Sequence, residues 1–178
     1  MMRRSTFLLL VFLPLLIGGC SRSSESGPPG AKFLAQGKIG GLTVTDVKLA
    51  PSLSVSSQDT AEKLDAGLRP ANPADTRNVV LELIIISDTA DGSWQPFPCG
   101  QFVLTYDGGS APCVGISLGD QWILATGGSP EMKLIYHEPG ETREQRLLFL
   151  VPKSAGTATL ELKSAGGPPV QLARVTLP

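Results

Sequence analysis

An all-β fold of two packed antiparallel sheets is the architecture that this chain predicts. Short runs of alternating apolar and polar residues recur along it. Turns rich in glycine and proline separate them, at the roughly 8–12-residue spacing that marks sandwiches and barrels. Composition agrees: 20 Gly and 15 Pro among 178 residues, with 17% charged side chains, suit many turns and short strands. No repeat of propeller or solenoid length is visible, so those architectures are not expected.

The chain opens Met1-Met2-Arg3-Arg4-Ser5, and an apolar run over residues 7–17 follows, interrupted only by Pro14. These 11 residues fall short of the roughly 20 that span a bilayer. Behind two arginines they fit a secretory signal whose cationic end stays in the cytoplasm. The run ends in Leu16-Ile17-Gly18-Gly19-Cys20, which resembles the bacterial lipobox: an aliphatic residue, two small residues, then cysteine. The resemblance implies cleavage before Cys20 and diacylation of its sulfur, and two acyl chains give a stable anchor where one does not. Residues 1–19 are therefore expected as signal peptide, 20–32 as lipidated cysteine and tether, and 33–178 as the folded domain. Residues 21–30 read SRSSESGPPG and hold no aliphatic or aromatic side chain to bury. Extended, they reach roughly 35 Å. Ser21 stands where an aspartate is absent, which suggests outer-membrane sorting in a host with two membranes.

Loss of residues 1–19 removes Arg3 and Arg4 and leaves 13 basic against 16 acidic side chains, a net charge of −3. With no basic cluster, nucleic acid is not an expected partner. The expected partners are the membrane, through Cys20, and a protein or other component of the cell envelope.

Along the body, residues 42–49 alternate and slip phase between Asp46 and Val47, as a bulged strand does. Residues 52–78 are long and polar. Within them 59–66 read either as a short helix, with Asp59 capping and Glu62 three residues on, or as flexible loop. Residues 78–87, NVVLELIIIS, are apolar on both faces and β-branched, the signature of a central strand. Further strands are expected at 101–106, 113–118, 121–125 and 132–137, with turns at Asp107-Gly108-Gly109, Gly119-Asp120 and residues 127–130. A Pro139-Gly140 turn precedes a strand at 142–151, and strands at 157–163 and 170–177 close the chain, the last slipping phase near Ala173-Arg174.

The order of these segments resembles the immunoglobulin-like domain of bacterial lipoproteins of the DUF4352 type. The likeness rests on residues 42–49, on 79–86, and above all on Glu138-Pro139-Gly140-Glu141-Thr142 followed by Leu147-Leu148-Phe149-Leu150-Val151-Pro152. It spans roughly residues 40–178. It departs from the family at Ser87-Asp88-Thr89-Ala90-Asp91-Gly92, where an asparagine-rich turn is usual, and over 94–128. The resemblance implies an immunoglobulin-like sandwich and a binding or interaction module. It transfers no catalytic residue, and fold alone does not assign function.

Few residues invite chemistry. Cys99 and Cys113 are the thiols left once Cys20 is acylated, and in an oxidising compartment such a pair is expected to bond. The loop they would close is 15 residues, counting both. Their spacing is not that of a redox motif. His137 is the sole histidine, expected as a solvated strand-end residue; a triad or zinc site would have to be built around it alone. Asp88, Asp91 and Glu82 lack the spacing of a calcium loop. No metal and no cofactor is expected. Trp94-Gln95-Pro96-Phe97-Pro98 is an aromatic–proline loop: either Trp94 and Phe97 form an exposed contact patch held by the disulfide, or they cover one open end of the core.

The function this favours is a membrane-anchored, non-enzymatic binding module. Alternatives are a structural or assembly subunit, whose 52–78 segment orders against a partner chain, and a small-molecule-binding or hydrolytic domain.

Overall fold

The computed structural model describes residues 28–89, 91–125, 136–164 and 166–178. Cys20, the expected signal peptide and most of the expected tether lie outside the described residues, as does most of the strand expected at 132–137. The fold is an all-β sandwich. Its strands are β1 (Gly30–Phe33), β2 (Gly37–Ile39), β3 (Leu42–Leu49), β4 (Thr76–Ser87), β5 (Gln95–Pro96), β6 (Phe102–Tyr106), β7 (Gly109–Leu118), β8 (Gln121–Leu124), β9 (Tyr136–His137), β10 (Thr142–Pro152), β11 (Thr157–Leu162) and β12 (Val170–Thr176). Among the described residues one α-helix, α1 (Ser57–Glu62), interrupts them.

The pairing order is β1-β12-β11-β6-β7-β10-β4-β3-β2, with β8 added to β7 and a separate two-stranded ribbon of β5 and β9. All pairings are antiparallel. β7 serves both sheets. Its first part, to Pro112, pairs with β6; from Cys113 on it pairs with β10. Proline has no N–H to give a ladder, and here it stands where the strand leaves one sheet for the other. Without β1, β2 and β8, one sheet reads β3-β4-β10-β7 and the other β6-β11-β12. Named in chain order A to G, these are sheets ABED and CFG, the immunoglobulin constant-type arrangement.

β4 is central, as its two apolar faces imply. It pairs with β10 from Thr142↔Ile86 to Pro152↔Thr76 and with β3 on its other side. Val79, Leu81, Leu83 and Ile85 point into the sandwich, where they meet Phe102, Leu104, Leu147, Phe149, Leu160 and Leu172, all fully buried or nearly so. The opposite face is covered too. Ala61 and Leu64 of the 52–75 excursion pack on Val80, Val114, Leu148 and Leu150. This third layer explains why β4, β7 and β10 are apolar on both sides. The excursion is held by Ser57 Oγ donating to the Thr76 carbonyl at 2.7 Å and by Asn78 Nδ2 donating to the Val55 carbonyl at 2.7 Å. It therefore packs against its own domain.

Local details refine the sequence expectations. The helix begins three residues early, because Ser56, not Asp59, is the N-cap: its hydroxyl accepts the Asp59 N–H at 3.1 Å. The β3 bulge lies between Val44 and Asp46. The last strand slips at Leu172, the residue omitted between Leu160↔Ala173 and Glu161↔Gln171, so Leu172 and Ala173 are buried in succession. Asp107-Gly108 form a two-residue hairpin turn, with Gly108 at φ 89°. The tether ends earlier than expected. Residues 30–32, placed in it by sequence, belong to β1, which pairs Gly30 with Thr176.

That pairing orients the molecule. β12 ends, and β1 begins, at the end of the sandwich that holds Tyr106, Thr76 and Pro152. The β4–β6, β7–β10 and β11–β12 connections lie at the other end, which we call distal. In antibody variable domains the corresponding B–C and F–G loops carry recognition.

Candidate functional site: the distal aromatic ribbon

The β5–β9 ribbon lies at the distal end, and among the described residues it pairs Gln95↔His137 and Pro96↔Tyr136. Strand alternation divides its side chains. Gln95, Phe97 and His137 turn inward; Trp94, Pro96 and Tyr136 turn outward. Phe97 is 1% exposed and stacks on Phe102 with ring centroids 5.3 Å apart. The expectation of Phe97 as a surface contact is therefore corrected: it seals the core, and its apolar ring has more to gain there. Trp94, by contrast, is 56% exposed, and Tyr136 is 46% exposed. Sequence reading missed Tyr136. Its place on a strand was legible, but which face it took depends on its pairing with Pro96.

The loop that carries Trp94 is held by a polar network. Gly41 N–H donates to Gln95 Oε1 at 3.2 Å, Gln95 Nε2 donates to Ser93 Oγ at 2.9 Å, and Ser93 Oγ donates to Asp91 at 2.7 Å. The Ser93 hydroxyl and N–H bonds hold the Asp91 carboxyl below its ordinary range. Cys99 and Cys113 are buried thiols in the structure, and the polar network is in place without a bond between them. They nonetheless sit side by side. Burial, and then a hydrogen bond with Cys99, push the Cys113 thiol well above the ordinary range. A thiol kept protonated and dry is a poor nucleophile.

His137 also departs from expectation. Rather than solvated, its side chain is 0% exposed and lies against Phe97, with centroids 5.8 Å apart. Among the described residues neither ring nitrogen has a hydrogen-bond partner, and the hydroxyl of Ser87, buried at the same end, has none. Glu141 Oε2 stands 3.9 Å from His137 Nδ1 but is engaged elsewhere: Glu141 takes the Glu138 N–H at 3.0 Å and the Arg143 guanidinium at 2.6 Å. Burial, and then the Arg143 cation, lower the imidazole pKa, while Glu141 opposes them. Burial works to raise Glu141, but the Glu138 N–H and Arg143 outweigh it, and its carboxyl sits below the usual value. A histidine with no access to solvent and no hydrogen-bonded nucleophile is not arranged for acid–base work.

Beside the ribbon an open groove of about 500 Å³ is lined by Leu118, Asp120, Arg143, Glu144 and Arg146, among others. Leu118, 52% exposed, adds a further apolar side chain to the distal end. Glu82, weighed above for calcium, lies mid-strand and is bound by Arg146 at 2.9 Å. Among the described residues no group of three acidic, histidine or cysteine side chains is placed to hold a metal ion.

No family model matches the chain, and no curated protein matches it. Among solved structures it is similar to a functionally unknown protein from Listeria monocytogenes EGD-e, at 15% identity and a TM-score of 0.43, over 83% of this chain and 82% of that one.

The two aromatic residues of the expected patch should separate cleanly. Phe97→Ala should cost about 3–5 kcal/mol in denaturant unfolding, the range for a buried phenylalanine. Trp94→Ala should change stability by no more than about 0.5 kcal/mol. Equal losses would mean that Trp94 is part of the core.

Proposed function

We propose that the protein is a lipid-anchored, non-enzymatic binding module that presents its distal end to a protein partner in the cell envelope. The observation that carries this reading is the polarity of the sandwich. The chain enters at Gly30, at the end opposite Trp94, Pro96 and Tyr136. If Cys20 is acylated as its lipobox-like setting implies, the tether holds the entry end toward the membrane and the ribbon outward. Exposed tryptophan and tyrosine are the side chains most often dominant in protein contacts, because they bury large area at low entropic cost. A rigid loop beneath them adds pre-organisation. The lipoprotein-type resemblance and the immunoglobulin-like topology support the same reading. No helix among the described residues is long and apolar enough to cross a membrane.

The two tyrosines mark the two ends and provide the test. The photoreactive analogue benzoylphenylalanine, placed at Tyr136 or at Tyr106 in cells, should cross-link one protein partner from position 136 and none from 106. Trp94→Ala should remove the adduct. Equal adducts from both positions, or none from 136, would reject the distal surface.

Export also bears on the thiols. We infer that Cys99 and Cys113 lose two electrons and two protons to a disulfide-exchange oxidant while the chain folds outside the cytoplasm, before burial makes them unreactive. Closing a 15-residue loop is worth about 3 kcal/mol. Thiol titration in denaturant should find none free in exported protein and two in protein made in the cytoplasm with residues 1–20 deleted, so that Cys20 does not count. Two free thiols in the exported form would reject the bond.

A further inference from the structure

His137 is more than an inward-facing member of the ribbon. Among the described residues it occupies one of the two pairs that join β9 to β5, and it does so without a hydrogen bond of its own. The groups around it are few among the described residues. From its own turn comes Glu141, 3.9 Å from Nδ1. From β10 comes Arg143, which is paired with that same Glu141 through Nη2 and through Nε at 2.7 Å. From β5 comes Gln95, uncharged and paired opposite, and next to β5 Phe97 lies against the ring with Phe102 behind it. Glu138, beside it in sequence, is exposed. Among the described residues, the carboxylate nearest this imidazole already takes the Glu138 N–H and the Arg143 guanidinium, and the ring itself is buried.

We propose that protonation of His137 releases the β5–β9 ribbon, so that the Trp94–Pro96–Tyr136 face is presented at neutral pH and withdrawn in acid. This rests on the reading of that face as the contact surface, and it adds a control to it. The sign follows from linkage. In the closed ribbon, burial and Arg143 hold the imidazole below its ordinary value of 6.5. In the open ribbon the ring is solvated and titrates near that ordinary value. Between the two values the open form binds more protons, so the closed form loses ground as pH falls and the loss levels off below the closed-form value. The closed-to-open ratio falls by up to about tenfold per pH unit in that window. The sandwich beneath the ribbon, with its long β4–β10 ladder, has no part in the transition.

The test uses the whole mature chain with Trp122→Phe, so that Trp94 is the sole emitter. Trp94 anisotropy, titrated from pH 8 to 4.5, should fall with a midpoint below 6.5, while far-ultraviolet circular dichroism shows the sandwich intact. His137→Phe keeps a ring against Phe97 and should abolish the transition. Glu141→Gln removes the one nearby anion that favours the charged ring and should move the midpoint to lower pH. A transition that persists unchanged in His137→Phe, or that coincides with global unfolding, would overturn the proposal. So would the absence of any transition. Should His137→Phe fail to fold, an unmoved midpoint in Glu141→Gln would overturn it equally. The fluorescence needs no partner and the cross-link from position 136 does, so the gate and the contact surface fail separately.

Discussion

The β4–β10 ladder is the constraint on which the rest of this structure depends. Two long strands, apolar on both faces, pair in unbroken register from Thr142↔Ile86 to Pro152↔Thr76. One face supplies Leu81, Leu83, Ile85, Leu147 and Phe149 to the core between the sheets. The other supplies Val80, Leu148 and Leu150 to a second cluster, which the 52–75 excursion must cover. Without that cover the sheet would expose a broad apolar patch, and large patches of that kind are rare on soluble monomers. The ladder also sets the distal end. Past Leu147 the inward positions of β10 turn polar, at Gln145 and Arg143, and Glu141 continues the pairing through the Ser87 N–H at 2.9 Å. The polar groups of the tip are therefore the continuation of the core face.

The alternation of apolar residues was enough to place the central strand, the hairpin at Asp107-Gly108, and the closing strands, because each reports burial directly. What failed to show in the sequence depended on contacts across distance. β1 is short and polar enough to read as tether, and it becomes a strand because β12 offers it an edge. The helix start moved because serine and aspartate both cap, and Ser56 is the residue from which the chain can turn back onto the sheet. Phe97 and Trp94 are chemically alike as contact residues. Only the ribbon register decides that one faces Phe102 and the other solvent.

The same register explains why the candidate site was only half legible. Trp94 was visible as an aromatic beside prolines, but Tyr136 needed its pairing with Pro96. The burial of His137 needed Phe97 and the end of β10 in place. Order in the loop is also supplied by Gln95, Ser93 and Asp91, polar residues that sequence reading passes over as turn. Cys99 and Cys113 add to that order only if they bond.

The central claim is that the aromatic end faces away from the membrane. It is tested most directly by placing a dye at Asp120→Cys, distal, or at Ser154→Cys, at the entry end, in protein acylated at Cys20 and inserted in vesicles. Energy transfer to an acceptor lipid then reports height above the bilayer. The 11 residues of β10 separate these ends by about 35 Å at the usual strand rise. Strong transfer from 154 and weak transfer from 120 is the predicted result. Equal transfer, or the reverse order, would contradict the account.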